Sequence, residues 1–155
     1  MKKYHYTESG LDNIYLVNGF KITKTKSGDE EIFIHDIHGL HKAIGMILIS
    51  KRGLLSGKEI KFIRSMLDLS QTTLAKILGC SYQTVLLWEK EKGEISKTAD
   101  HLLRAIFFSY LDVEGGKSIY DIINEIADLD ANAVESKNVE KIELEEVSHI
   151  WRMVA

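Results

Sequence analysis

Apolar positions alternate near the N-terminus, recur with a helical period through the middle, and alternate again at the end of the chain. Ile14, Leu16 and Asn18 alternate with Tyr15, Val17 and Gly19, and Phe20 and Ile22 continue the period of two, which predicts a strand. Lys24 to Asp29 is polar and carries Ser27-Gly28-Asp29, a turn signal, before Ile32, Phe33 and Ile34 form a second strand. Together they predict a β-hairpin with a long basic connection. A two-stranded hairpin is marginal alone, so it should lean on a helix or gain another strand.

The middle of the chain reads as five helices. Leu40, Ile44, Ile47 and Leu48 make a stripe on a helix from Gly39 to Lys51, and Gly53 marks its end. Ser56 and Glu59 form a capping box for the next, in which Ile60, Ile63 and Leu67 line one face, flanked by Phe62 and Met66. Ser70 caps a third, with Leu74, Ile77 and Leu78 on one face. Gly79 stands where a helix end commonly takes a left-handed residue. Ser81 caps a fourth, whose inward face is Val85 and Trp88, and the small Ala75 allows the third and fourth helices to approach closely. Two short helices joined by a tight turn make a helix-turn-helix unit, whose second helix can enter the DNA major groove. Ser96 or Thr98 caps a fifth, with apolar positions at Leu102, Leu103, Ile106 and Phe107 that close the core of a five-helix domain.

Gly115-Gly116 reads as a linker. Ser118 caps a short amphipathic helix with Ile119, Ile122, Ile123, Ile126 and Leu129 on one side, and 130–139 reads as loop. Ile142 and Leu144 alternate with glutamates, and 150–154 is a second extended stretch, so the tail is expected to return to the N-terminal sheet. The expected fold is α+β. It comprises an N-terminal β-hairpin region (1–38), a five-helix helix-turn-helix DNA-binding domain (39–112) and an acidic C-terminal extension of helix plus strand (113–155).

Composition narrows the class of function. The 155 residues are 45% hydrophobic and 28% charged, ordinary for a soluble globular protein, with no apolar run of membrane length, and no signal peptide is expected. A single cysteine, Cys80, excludes an internal disulfide and fits a reducing cytoplasm. The net charge of −3 is unevenly divided. Residues 51–110 hold ten Lys or Arg against six Asp or Glu, and residues 111–155 hold four against eleven. The positive charge therefore sits on the helix-turn-helix region, as phosphate contact requires. Lys76, Lys90, Lys92 and Lys97 flank its second helix and are the expected phosphate contacts.

Leu69-Ser70-Gln71, Leu74-Ala75, Leu78-Gly79, Ser81, Thr84-Val85 and Trp88-Glu89, followed by Gly93, together resemble the Cro/Xre class of helix-turn-helix regulators. That resemblance implies that Tyr82, Gln83, Leu86 and Leu87 face bases and that Gln71 and Thr84 touch phosphate. The stretch from Tyr4 to Phe20, with Gly39 to Gly45 ahead of the helix-turn-helix, is similar to the MqsA/YgiT-like group of antitoxin-type repressors, which are often encoded beside a toxin. The similarity covers 4–110. Zinc-binding members of that group carry paired Cys-x-x-Cys motifs, and this chain has none.

His35, His38 and His41 are spaced three apart with Asp36 among them, a spacing that can bind metal from one helix face. His35, however, ends a strand and His41 sits within a helix, so they read as surface and capping histidines, and neither a metal nor another cofactor is expected. No Gly-rich phosphate loop, nucleophile elbow or His-Glu-x-x-His motif appears, and no catalytic residue is expected. The expected function is a cytoplasmic, sequence-specific DNA-binding regulator, a repressor binding double-stranded DNA as a homodimer. The alternative is an antitoxin that neutralises a cognate toxin protein, with DNA binding secondary.

Overall fold

The structure is a computed structural model that describes residues 2–111 and 140–154. The expected linker at Gly115-Gly116 and the helix after Ser118 lie outside the described residues. Among those described, the protein is mixed α and β, with five α-helices and two small sheets. It divides into two compact units, Met1–Ile44 with Asn138–Ala155, and Gly45–Lys137.

In the first unit a four-stranded sheet has the order β1 (Tyr4–His5), β2 (Ile14–Leu16), β5 (Ile142–Val147), β6 (Ile150–Met153). The C-terminal residues do return to the N-terminal strands. β5 runs parallel to β2, with Ile14 opposite Ile142 and Leu16 opposite Leu144, and Ile14, Leu16 and Leu144 are fully buried. β3 (Phe20–Lys24) and β4 (Glu30–Ile34) form a separate antiparallel hairpin, with Phe20 opposite Ile34 and Lys24 opposite Glu30.

The single strand expected through Ile14–Ile22 is in fact two. The period of two continues through Phe20, but Gly19 adopts φ +75° and breaks the strand. A Cβ there would lie 2.5 Å from the Trp151 ring and 2.9 Å from a Glu146 carboxylate oxygen, so only glycine allows the crossing. Asn18 stands in for the lost ladder. Its side chain accepts from the Glu146 N–H at 2.6 Å and donates to the Glu146 carbonyl at 3.2 Å.

Helix α1 (Ile37–Ile49) begins two residues before the expected Gly39, because the Asp36 carboxylate accepts from the Gly39 N–H at 3.1 Å. Leu40 and Ile44 are buried in the first unit, where the Tyr6 hydroxyl meets His41 Nε2 at 2.7 Å.

In the second unit α2 (Gly57–Met66) carries the expected capping box. Ser56 accepts from the Glu59 N–H, and the Glu59 carboxylate accepts from the Ser56 N–H. α5 (Lys97–Leu111) is capped by Ser96, which accepts from the Ala99 N–H at 3.2 Å. Of its expected apolar positions, Leu103 and Phe107 are buried and Ile106 is half-buried. Leu102 is 41% exposed, whereas Asp100 and Arg104, one turn apart, are buried beside Leu103 and Phe107. Arg104 donates to the carbonyls of Ile49, Lys51 and Gly53, so it satisfies the backbone where α1 ends. Asp100 accepts from the Leu55 N–H at 2.8 Å, and its Oδ2 lies 2.9 Å from Arg104 Nε without an aligned hydrogen bond. Burial pushes the Asp100 carboxyl up, and the guanidinium opposes that shift.

Candidate nucleic-acid interface

α3 (Gln71–Leu78) and α4 (Tyr82–Glu89) are eight residues each and are separated by Gly79, Cys80 and Ser81. Each begins on a serine cap. Ser70 accepts from the Thr73 N–H at 3.0 Å, and Ser81 from the Thr84 N–H at 3.2 Å. Gly79 is left-handed at φ +72°, and the Cys80 N–H reaches back to the Ala75 carbonyl at 3.0 Å, which ends α3 sharply. Cys80 is half-buried, and that burial pushes its thiol up, away from the thiolate form.

Burial settles the phase of both helices. Leu74, Ala75, Val85 and Trp88 are buried, as their spacing requires. Ile77, expected on the apolar face of α3, is 43% exposed, because on an eight-residue helix Leu74 and Ala75 complete the inward face. On α4, Tyr82, Gln83 and Leu87 point outward, with Leu87 45% exposed despite being apolar. Leu86 and Thr84 are half-buried, and the Thr84 hydroxyl lies 2.9 Å from Ser81 Oγ.

Two features that local spacing does not reveal fix α4 in place. The Arg64 guanidinium on α2 holds the Glu89 carboxylate with two bonds of 2.8 Å and donates a third, of 3.0 Å, to the Leu69 carbonyl just before Ser70. One side chain thus ties the end of α4 to the start of α3. The pair is largely buried, and Glu89 raises the Arg64 pKa further, so the guanidinium stays charged. Gly57 is the second feature. A Cβ on it would lie 2.1 Å from the Trp88 carbonyl oxygen, so α2 meets α4 backbone to backbone.

The turn after α4 sets the position of two of the basic residues. Lys90, Glu91 and Lys92 form a tight turn in which their N–H groups return to the Leu86, Trp88 and Leu87 carbonyls, with Glu91 left-handed at φ +58°. Lys76, Lys90, Lys92 and Lys97 are exposed, and none is in an ion pair among the described residues. A shallow depression between α2, α3 and α4 is lined by Lys61, Ser70, Gln71, Leu86 and Lys90, with the Arg64–Glu89 pair at its base. Gln71 and Lys90, far apart in the chain, are brought together there. Lys61 joins them although nothing in its local spacing marks it. Three ion pairs, Lys51–Glu59, Arg64–Glu89 and Arg104–Asp100, neutralise half of the carboxylates in residues 51–110. Over the same segment ten Lys or Arg stand against six Asp or Glu.

The chain matches no protein-family model, no curated protein and no solved structure.

Proposed function

We propose that α3 and α4 form a helix-turn-helix and that the protein is a sequence-specific regulator, a repressor that binds double-stranded DNA in the cytoplasm as a homodimer. The observation that carries this reading is the division of α4. Val85 and Trp88 are buried, while Tyr82, Gln83 and Leu87 face outward, near lysines that are in no ion pair among the described residues. A helix presented this way can offer side chains to base edges while Gln71, Thr84, Lys76, Lys90, Lys92 and Lys97 hold the phosphates on either side. Leu86, half-buried at the rim of the depression, contributes its exposed edge to the base-facing set. Among the described residues no helix is long and apolar enough to cross a membrane. The test is a mobility-shift titration with the DNA upstream of its own gene against random duplex of equal length. The expected outcome is tighter binding to the upstream fragment; equal affinity for both would overturn sequence-specific recognition.

A protein partner, such as a toxin encoded alongside, is supported by a different observation. Phe33, Ile150 and Met153 in the first unit are large, apolar and more than half exposed, and β6 is an edge strand. Co-purification of the neighbouring gene product with the wild-type chain, lost in Ile150→Asp, tests that reading.

A further inference from the structure

We propose that His35, Glu146 and His149 form a binding site for a divalent transition-metal cation, with Zn²⁺ the best-fitting ion. The residues come from three places in the first unit: the end of β4, the C-terminal half of β5 and the β5–β6 turn. His35 Nδ1 lies 2.8 Å from Glu146 Oε1, and His149 Nδ1 lies 3.6 Å from the same oxygen. All three ligating atoms lie within 4.8 Å of one another. Zinc bonds of about 2.1 Å at tetrahedral angles place ligand atoms roughly 3.4 Å apart, so small rotations of exposed side chains suffice to close the site. Two imidazoles and a carboxylate are a donor set that zinc takes readily, with a fourth position left for water.

The support around the ligands is independent of the ion. Glu146 is held at its backbone on both sides by Asn18, and its side chain is only 13% exposed. The His35 carbonyl accepts from Trp151 Nε1 at 3.0 Å, and its N–H donates to the Gly19 carbonyl at 2.9 Å. Gly19 leaves the space that the Glu146 carboxylate occupies. His149 is the outermost ligand. It is 86% exposed and sits in a tight turn with Ser148, both left-handed, at φ +65° and +52°. A bound cation would fasten that turn to the end of β4 and so pin the C-terminal hairpin to the N-terminal segment. The carboxylate also answers the charge of the ion, which two neutral imidazoles alone would not.

The experiment is calorimetric titration of the untagged, chelator-stripped chain with ZnCl2, paired with Co²⁺ as a spectroscopic probe of the same ligands. One zinc per chain is expected, together with Co²⁺ absorption bands of a tetrahedral N/O site and a melting temperature that rises with free zinc. His149→Ala should weaken binding at least about tenfold while leaving the far-ultraviolet circular dichroism unchanged, since the side chain is exposed. Glu146→Gln should do the same, and His38→Ala, outside the cluster, should bind as the parent does. The proposal is overturned if zinc produces neither heat nor a melting shift, or if His149→Ala holds zinc as tightly as the parent.

Discussion

Gln83 and Leu87 face outward from the same short helix, and their chemistry predicts opposite kinds of base contact. A glutamine amide can pair bidentately with adenine N6 and N7, whereas a leucine offers only apolar contact, best met by a thymine methyl. Gln83→Ala should therefore reduce discrimination between operator and mismatched duplex by about 1–3 kcal/mol while leaving affinity for random DNA nearly unchanged. Competition titrations against both duplexes measure this, and an equal loss on both would remove Gln83 from the base-facing set. Leu87→Ala should weaken operator binding, and substitution of uracil for thymine at the contacted base should weaken the parent to the same degree.

A third single residue, His41, gives the first unit a pH dependence. Burial lowers its pKa below the ordinary 6.5, and its Nε2 shares a hydrogen bond with the Tyr6 hydroxyl, which burial holds protonated. The neutral imidazole is thus the form the fold accommodates. As pH falls through about 6.5 the unfolded chain gains a proton that the folded chain refuses, so stability declines until the lower folded pKa is reached. His41→Phe should flatten urea midpoints measured across that window. A variant with the parent's slope would place the titration elsewhere.

Among the elements, α2 and α4 are coupled where a side chain is missing. Gly57→Ala would put a methyl 2.1 Å from the Trp88 carbonyl oxygen, and backbone cannot yield as a side-chain tip can. The substitution should cost about 1–3 kcal/mol by overpacking. On the proposed DNA-binding reading it should also weaken DNA affinity without touching any outward-facing residue of α4. Thermal melting and a shift assay on the same sample check both, and a variant matching the parent in both would mean that the contact is slack.

The elements that sequence foretold are those specified locally. Ser56 with Glu59, Ser70, Ser81 and Gly79 each act within four residues, and each does in the structure what its chemistry requires. The return of 142–153 to the N-terminal strands was legible in its alternation. Elements set by distant partners were not. The break at Gly19 depends on Trp151 and Glu146, far along the chain, and alternation alone cannot register it. On α5 the expected Leu103 and Phe107 are buried, but nothing local marks Asp100 and Arg104 as buried beside them, since their partners are Leu55 and the end of α1. The base-facing set on α4 is what the resemblance implies, and the burial of Val85 and Trp88 leaves Tyr82, Gln83 and Leu87 of that set exposed. Lys61 was missed because its neighbours there come from α3 and the turn after α4.

For the molecule as a whole, charge is the property that the DNA-binding reading turns into a measurable number. A net −3 repels DNA on average, yet Lys76, Lys90, Lys92 and Lys97 near α4 are in no ion pair among the described residues. On the proposed reading one recognition helix reads only a few base pairs, too few to mark a site in a genome, so the proposed repressor would act as a dimer on a two-fold symmetric operator. If Lys76, Lys90, Lys92 and Lys97 each neutralise one phosphate, a dimer neutralises about eight, and log K should fall with log salt at a slope near −7. Lys90→Ala removes two contacts per dimer and should bring the slope up by about two, with sequence preference almost intact because phosphates carry no base information. Gln83→Ala should behave in the converse way, with preference reduced and slope preserved. Salt titrations of both variants on one operator separate the two roles. A monomer by sedimentation at operator-saturating concentration, or binding insensitive to salt, would refute the dimeric repressor.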